Sequence, residues 1–174
     1  MDIVGAFREK IRGKNLSVVL PEGRDERIIR AARRLKDQDI AQPIVLGKPE
    51  HIEVAIKKVG VGLDRIKTIN PQKSDKLGLY AEKYSSRRDG IPSEVARHIV
   101  VKPTFYAGMM VACGDADAAV AGVASATTTV IQAGVLTIGL APKIETPSSY
   151  FLMVIPNSLE KQTKPLSMPT VPSI

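Results

Sequence analysis

The chain has 174 residues, of which 44% are hydrophobic and 25% are charged, an ordinary composition for about one globular domain. Because tryptophan is absent and aromatic residues make up only 4%, the core must be built from aliphatic side chains, which suits a parallel sheet covered by helices. The formal net charge of +7 does not indicate nucleic-acid binding, since the basic residues are spread over the first hundred positions and are not interleaved with aromatic side chains for base stacking.

The first half of the chain contains three units in which a strand pattern precedes a helical pattern. In the first unit, apolar residues such as Ile28, Ile29 and Ala32 recur at helical spacing. Three such units in succession predict right-handed crossovers and a largely parallel sheet, so the predicted fold class is α/β. The predicted strands cover residues 16–20, 43–46 and 65–69, and the predicted helices cover 24–38, 50–59 and 73–84.

The second half continues with shorter elements separated by turns. Helical patterns cover residues 92–100 and 104–113, and a buried strand is predicted at 118–121. A loop then opens a helix predicted at 130–140, and a last strand is predicted at 149–155.

The loop at residues 122–129 is rich in small and hydroxyl side chains, as anion-binding loops are. Free backbone N–H groups at a helix start, together with hydroxyl donors, are suited to bind phosphate. A capped helix whose small residues permit close packing explains the same pattern equally well. Arg87 and Arg88 carry guanidinium groups that also suit phosphate, although an adjacent pair near a turn is more often a solvated surface feature. A basic surface of this kind helps to attract a small anionic substrate.

Several other kinds of site find no support in the sequence. The single cysteine, Cys113, allows no internal disulfide, and the N-terminus lacks a secretory pattern, so a reducing cytoplasm is expected. Neither His51 nor His98 stands at a metal-ligand spacing with Cys113, so no metal is expected. Apolar stretches are interrupted well before the roughly 18 residues of a spanning helix, so no membrane contact is expected.

Three ordered segments together carry a resemblance to a known family. They are VVLPEGRDERIIRAARRL at residues 18–35, KPTFYAGMMVACGDADAAVAGV at 102–123 and SSYFLMVIPN at 148–157. The chain resembles the amino-terminal portion of the phosphate acetyl/butyryl transferase family from about residue 18 to residue 157. The resemblance implies a three-layer αβα fold with a mainly parallel sheet, similar to the isocitrate/isopropylmalate dehydrogenases, and an active site in a cleft between two α/β domains.

The resemblance also implies a reaction, in which an acyl group moves between coenzyme A and inorganic phosphate. The implied mechanism is attack of the coenzyme A thiolate on the acyl phosphate carbonyl, with a carboxylate as base and cationic groups that stabilise the developing charge. Coenzyme A is then a substrate, and no bound cofactor is expected. The implied partners are acyl-coenzyme A and phosphate. Without the second domain, strand edges and a cleft face are left uncovered, which predicts marginal solubility or self-association into a homo-oligomer.

By similarity, six residues become candidates for substrate or phosphate contacts. Arg87 or Arg88 falls in an Arg-rich stretch of the family, and three residues fall in its His-Ser-Thr-Ala-Asp loop: Ser125, Thr127 and Thr129. Two positions depart from the family, because Thr129 replaces an Asp and Gln132 replaces an Arg. A neutral amide cannot supply the charge-assisted bidentate contact of a guanidinium, so Gln132 implies another acyl substrate, another phosphate contact or a lost activity.

The end of the chain departs further from the family, whose members continue into a second half that carries the catalytic residues. Residues 1–157 are therefore predicted to be the amino-terminal portion of a phosphate acyltransferase domain, with no catalytic residue assigned. Reading the gene in another register from Met168 permits the family-like segment YADCAIN, so residues 158–174 are predicted to be out of frame or disordered. The alternative to an active enzyme is an inactive remnant that at most binds coenzyme A or phosphate.

Overall fold

The computed structural model describes residues 3–88 and 90–148 of the chain. Strands and helices alternate through the first half, and helices dominate the second. The elements are α1 (Ile3–Ile11), β1 (Ser17–Leu20), α2 (Glu26–Asp37), β2 (Gln42–Leu46), α3 (Pro49–Val59), β3 (Lys67–Ile69), a 3-10 turn (Pro71–Lys73), α4 (Leu77–Ser86), α5 (Ser93–Val100), α6 (Pro103–Ala112), β4 (Ala118–Ala119) and α7 (Thr127–Thr137).

The described strands form one sheet in the order β3-β2-β1-β4, and every neighbouring pair is parallel. Val19 of β1 lies opposite Ile44 of β2 on one side and Ala119 of β4 on the other. The predicted parallel sheet is therefore confirmed. The predicted burial of the fourth strand is wrong for the described residues, because β4 lies at the sheet edge and its two short side chains are exposed.

Successive strand side chains point to opposite faces of the sheet, and each face is covered by its own helices. Val19, Ile44 and Leu46 pack with buried residues of α4, α5 and α6. Leu20 and Val45 pack in a second cluster with residues of α2 and α3. This arrangement confirms the three-layer αβα fold class.

Local caps and glycines explain where helix boundaries differ from the predicted ones. The Asn70 side chain accepts a hydrogen bond from the Gln72 N–H at 3.1 Å and starts the separate 3-10 turn, so α4 begins only at Leu77. Helix α7 begins and ends three residues before its predicted bounds, and Gly139, with φ +92°, follows its end. Helix α1 was not predicted, and the predicted strand at 149–155 lies outside the described residues, as does the predicted tail at 158–174.

Candidate functional site

The carboxyl ends of β1, β2 and β3 open onto a cavity of about 310 Å³. The loops after the three strands, the start of α6 and the loop before α7 form its walls. Its polar and charged lining consists of Glu22, Arg24, Lys48, His51, Asn70, Gln72, Thr104 and Ser125.

The cavity lies beside the point where the strand order of the sheet changes direction. The chain continues from β1 to β2 and β3 on one side, whereas β4 pairs with the other side of β1. In open parallel α/β sheets, ligands bind outside the carboxyl ends of the strands at such a switch point. The topology therefore marks this cavity as the candidate binding site.

The Glu22 carboxylate bridges the switch point by binding the loop that follows β4. Its Oε2 accepts the N–H groups of Gly122 at 3.0 Å and Val123 at 2.9 Å. Its Oε1 accepts the N–H groups of Ala124 at 2.9 Å and Ser125 at 2.7 Å. Only 7% of Glu22 is exposed, so the carboxylate lies between the two loops rather than in solvent.

The surroundings of Glu22 favour its ionised form. Burial raises the pKa of a carboxyl group, but the Ser125 hydroxyl and the backbone N–H groups outweigh burial, and the pKa of Glu22 is lowered from its ordinary value of 4.5. Glu22 is therefore a carboxylate at neutral pH and a poor proton acceptor.

A second residue, Arg27, binds the same loop through one of its carbonyl groups. Arg27 donates from Nη2 to the carbonyl oxygen of Val123 at 2.8 Å. Asp25 caps α2 by accepting the Arg27 N–H at 2.9 Å, and it also accepts hydrogen bonds from the guanidinium. The Arg27 side chain and the Arg27 N–H lower the pKa of Asp25 to about 2. Glu22 therefore binds backbone N–H groups of the loop after β4, and Arg27 at the start of α2 binds one of its carbonyl groups.

Positive charge collects at the mouth of the cavity. Arg24 and Lys48 are exposed side chains on its lining. Helix α6 directs its first turn at the same space, with Pro103 at its first position and Thr104 on the lining. A helix N-terminus attracts anions, so the cavity combines two cations with a favourable helix end.

The structure places one of the candidates from the His-Ser-Thr-Ala-Asp loop on the wall of this cavity. Ser125 is part of the lining. Thr127 and Thr129 lie exposed in the first turn of α7, and Gln132 lies exposed in the next turn. Their roles in binding stay predictions.

Arg87 and Arg88 lie at the other end of α7. Arg87 follows the end of α4 and donates from Nη1 to the carbonyl oxygen of Thr137 at 3.3 Å. Arg88 places its guanidinium 4.6 Å from the ring centre of Tyr84. Because α7 has 11 residues, its two ends are about 15 Å apart. The structure therefore does not bring the two arginines together with Ser125.

Backbone donors in the first half of the loop at 122–129 are not free to bind an anion, whereas the anion site predicted at the helix start stays a prediction. The N–H groups of residues 122–125 are hydrogen-bonded to Glu22. Sequence reasoning did not identify Glu22, although one signal was present, since an acidic residue between Pro21 and Gly23 directly follows an apolar strand. The partner of such a carboxylate is about 100 residues away and cannot be read from local pattern.

The parallel three-layer fold, with a cavity at the switch point of its sheet, defines the chain as an α/β protein built on an open parallel sheet. The chain belongs to the phosphate acetyl/butaryl transferase family, whose model matches residues 3–164. The resemblance predicted from the three sequence segments is thereby confirmed.

Individual relatives agree with this assignment. The chain is 30% identical over 154 residues to a phosphate acetyltransferase of Staphylococcus aureus strain MRSA252 and 34% identical over 149 residues to one of Corynebacterium glutamicum. Its fold is similar, with a TM-score of 0.78, to the EutD phosphotransacetylase from S. aureus (30% identity, 83% of this chain and 44% of that chain). A phosphotransacetylase from Streptococcus pyogenes also gives 0.78 (32% identity, 84% and 46%).

The chain spans about half the length of the curated relatives it matches. The alignment covers 88% of this chain and 47% of the S. aureus enzyme, and 84% and 45% for the C. glutamicum enzyme. Among residues 3–88 and 90–148, no cluster of three or more His, Cys, Asp or Glu side chains could hold a metal ion. Within the same ranges, no helix has both the length and the apolar character needed to cross a membrane.

Proposed function

We propose that this chain is a phosphate acyltransferase-type protein whose cavity at the switch point binds the phosphate groups of its substrates. The reaction is acyl-coenzyme A plus phosphate to acyl phosphate plus coenzyme A. A phosphate oxygen forms a bond to the acyl carbon while the carbon–sulfur bond breaks, and the coenzyme A thiolate leaves. Cationic groups favour this transfer because negative charge develops on the acyl oxygen and on sulfur.

The observation that carries the proposal is the cavity itself, in a chain that belongs to this family. Arg24 and Lys48 line the cavity beside the first turn of α6. A guanidinium donates two parallel hydrogen bonds to a phosphate, and an ammonium supplies a mobile point charge. We therefore assign recognition of the phosphate to Arg24 and Lys48, with Ser125 as a hydroxyl contact.

The predicted contacts Arg87 and Arg88 need a longer ligand under this proposal. One inorganic phosphate cannot contact Arg87 and Ser125 together, because the length of α7 separates them. Coenzyme A is an extended molecule with phosphate groups remote from its thiol, so it is the substrate that suits both positions. Gln132 supplies no charge, which is the reason for assigning the phosphate contact to Arg24 instead.

Titration calorimetry with inorganic phosphate and with coenzyme A tests this assignment. Arg24→Gln is expected to weaken phosphate binding by about 10-fold or more, since a hydrogen bond to a charged group contributes about 1.5–3 kcal/mol. Arg34→Gln is the matched control, because Arg34 is an exposed arginine in the last turn of α2, outside the cavity lining. Equal effects of the two variants would contradict the assignment.

A thiol-release assay with acetyl- and butyryl-coenzyme A then distinguishes enzyme from binding remnant. Phosphate-dependent release of thiol supports the acyltransferase, and the ratio of the two rates reports the acyl-chain preference. Binding without turnover, while a full-length relative is active in the same assay, supports the inactive remnant. Absence of both binding and turnover contradicts the proposed function.

A further inference from the structure

We propose that Glu22 is a positioning residue that fixes the loop of residues 122–125, and with it Ser125 and the start of α7, at the edge of the cavity. The inference rests on the proposed function only where it concerns ligand binding. The clamp, meaning the four hydrogen bonds between the Glu22 carboxylate and the N–H groups of residues 122–125, is a property of the fold and is tested separately.

The backbone hydrogen bonds to Glu22 alone match the acceptor capacity of its side chain. An ionised carboxylate offers about four lone-pair sites on two oxygens. Each oxygen accepts two consecutive backbone N–H groups, at distances between 2.7 and 3.0 Å. Four N–H donors that converge on one carboxylate fix the conformation of the peptide that carries them, so the loop after β4 has little freedom while Glu22 is ionised.

Because its lone pairs are occupied, Glu22 does not act as a catalytic base. A base needs a free lone pair within reach of the substrate proton, and the four N–H groups occupy those of Glu22. Glu22 lies on the cavity lining, but its side chain faces the loop. Its effect on a ligand therefore passes through Ser125 and α7.

The backbone next to Glu22 is fixed by a close contact with β2. The next residue, Gly23, donates its N–H to the carbonyl oxygen of Leu46 at 3.0 Å. A Cβ at Gly23 would lie 2.6 Å from that oxygen and 2.6 Å from Cγ1 of Val45, so only glycine permits this approach to β2. The carboxylate is thus anchored to the centre of the sheet, which makes it suitable to position a loop at the sheet edge.

Amide hydrogen exchange of the full chain, followed by NMR, tests the clamp. In Glu22→Gln the amide NH₂ replaces one acceptor oxygen and faces two N–H donors, so the amides of residues 122–125 are expected to exchange at least about 10-fold faster, the equivalent of 1.4 kcal/mol. The Val120 amide serves as an internal reference, because it donates to Val19 in the β1–β4 ladder at 2.9 Å and not to Glu22. Glu26→Gln is the matched control variant, since Glu26 is the first residue of α2, four positions after Glu22, and its side chain is 45% exposed.

Selective acceleration at residues 122–125, with Val120 unchanged and Glu26→Gln like the wild type, supports the proposal. Glu22→Asp, which keeps the carboxylate, is expected to restore part of the protection. Unchanged exchange at the four amides, or equal acceleration that includes Val120, overturns the proposal. If Glu22→Gln does not fold, a pH titration of the wild type followed by NMR replaces it. The resonances of the four amide protons of residues 122–125 are expected to shift together as pH falls below 4.5, because protonation of Glu22 affects all four. Resonances that shift independently of one another overturn the clamp.

Phosphate titration distinguishes failure of the clamp from failure of the proposed function. The expected result is about 10-fold weaker phosphate binding in Glu22→Gln than in Glu26→Gln, because Ser125 and the start of α7 lose their position. If the wild type itself binds no phosphate, the proposed function fails, while the exchange pattern still decides the clamp. If Glu22→Gln binds phosphate as well as the wild type does, the positioning role is overturned.

Discussion

Asp115 organises a polar contact in a second cavity, which Lys76, Tyr80 and Tyr106 also line. It accepts hydrogen bonds from the Lys76 ammonium and from the Tyr80 hydroxyl, the latter at 2.5 Å. The ring of Tyr80 is fully buried and meets Tyr106 edge to face at 5.0 Å. The Lys76 contact and then the Tyr80 contact lower the pKa of Asp115, while burial and the nearby carboxylate raise the pKa of Tyr80. Both groups therefore keep one protonation state at neutral pH.

Removing the Tyr80 hydroxyl should weaken the fold by the value of one hydrogen bond to a charged group. We expect Tyr80→Phe to lower the free energy of unfolding by about 1.5–3 kcal/mol, measured by urea denaturation at neutral pH. The difference from the wild type should shrink as pH falls below 3.8, because the lowered pKa of Asp115 makes its stabilising contribution present above that value and lost as the folded group protonates.

The adjacent tyrosine of the same helix provides the control. Tyr84 packs its ring in the same core, and its hydroxyl makes no hydrogen bond within the described part of the chain. Tyr84→Phe should therefore change stability by no more than about 0.5 kcal/mol. Equal losses in the two variants would show that ring packing, rather than the bond to Asp115, decides the effect.

Elements defined by local periodicity were predictable from the sequence, and elements defined by distant contacts were not. Strands β1 and β2 and helices α2 and α3 begin and end within two residues of their predicted bounds, because apolar spacing and Pro or Gly breaks mark them. The hydroxyl-rich loop was correctly placed before a helix, and Ser125 lies on the cavity. The role of Glu22 depends on a β1–β4 pairing across 100 residues, which no local pattern contains.

The contact between α6 and α7 depends on one glycine. A Cβ at Gly108 would lie 2.0 Å from Oγ1 of Thr137, whose side chain is buried and donates to the Ala133 carbonyl at 2.6 Å. The two helices can lie this close only because Gly108 has no side chain. Since α7 begins at the cavity, this contact also supports the site.

Gly108→Ala should force the two helices apart. We expect a loss of about 1–3 kcal/mol in the free energy of unfolding, the usual cost of overpacking, measured by urea denaturation. In a Thr137→Ala background the same change should cost less, because the atom nearest the added methyl group is gone, and the double-mutant cycle isolates that coupling.

Gly134→Ala is the control on α7, because the new Cβ meets nothing within 4 Å. This variant should raise the free energy of unfolding by about 0.5–1 kcal/mol. Additive effects of Gly108→Ala and Thr137→Ala would contradict the proposed contact.

At the scale of the whole molecule, several large apolar side chains that follow β4 in the chain are exposed. Within the described ranges β4 has only β1 as a neighbour. Ile131 of α7 and Ile138, which directly follows the helix in helical conformation, are 45% and 50% exposed, and their spacing of seven residues places them on the same side. Val120, Leu140 and Ile144 add to the same exposed set. Large exposed apolar side chains favour association when they lie on one surface.

We therefore expect the chain to self-associate through the exposed apolar residues of α7 and of the segment that follows it. Sedimentation velocity should show a mass above the 18.8 kDa of one chain that rises with concentration. Because the chain carries a net charge of +7, repulsion between copies opposes association, and added salt should strengthen association by screening it.

The double variant Ile131→Lys and Ile138→Lys should be monomeric at concentrations where the wild type associates. Val54→Lys is the control, because Val54 is 54% exposed on α3, on the opposite face of the sheet. A wild type that stays monomeric at high salt would contradict the prediction, whereas weakening by Val54→Lys alone would place the contact on the α2 and α3 face instead.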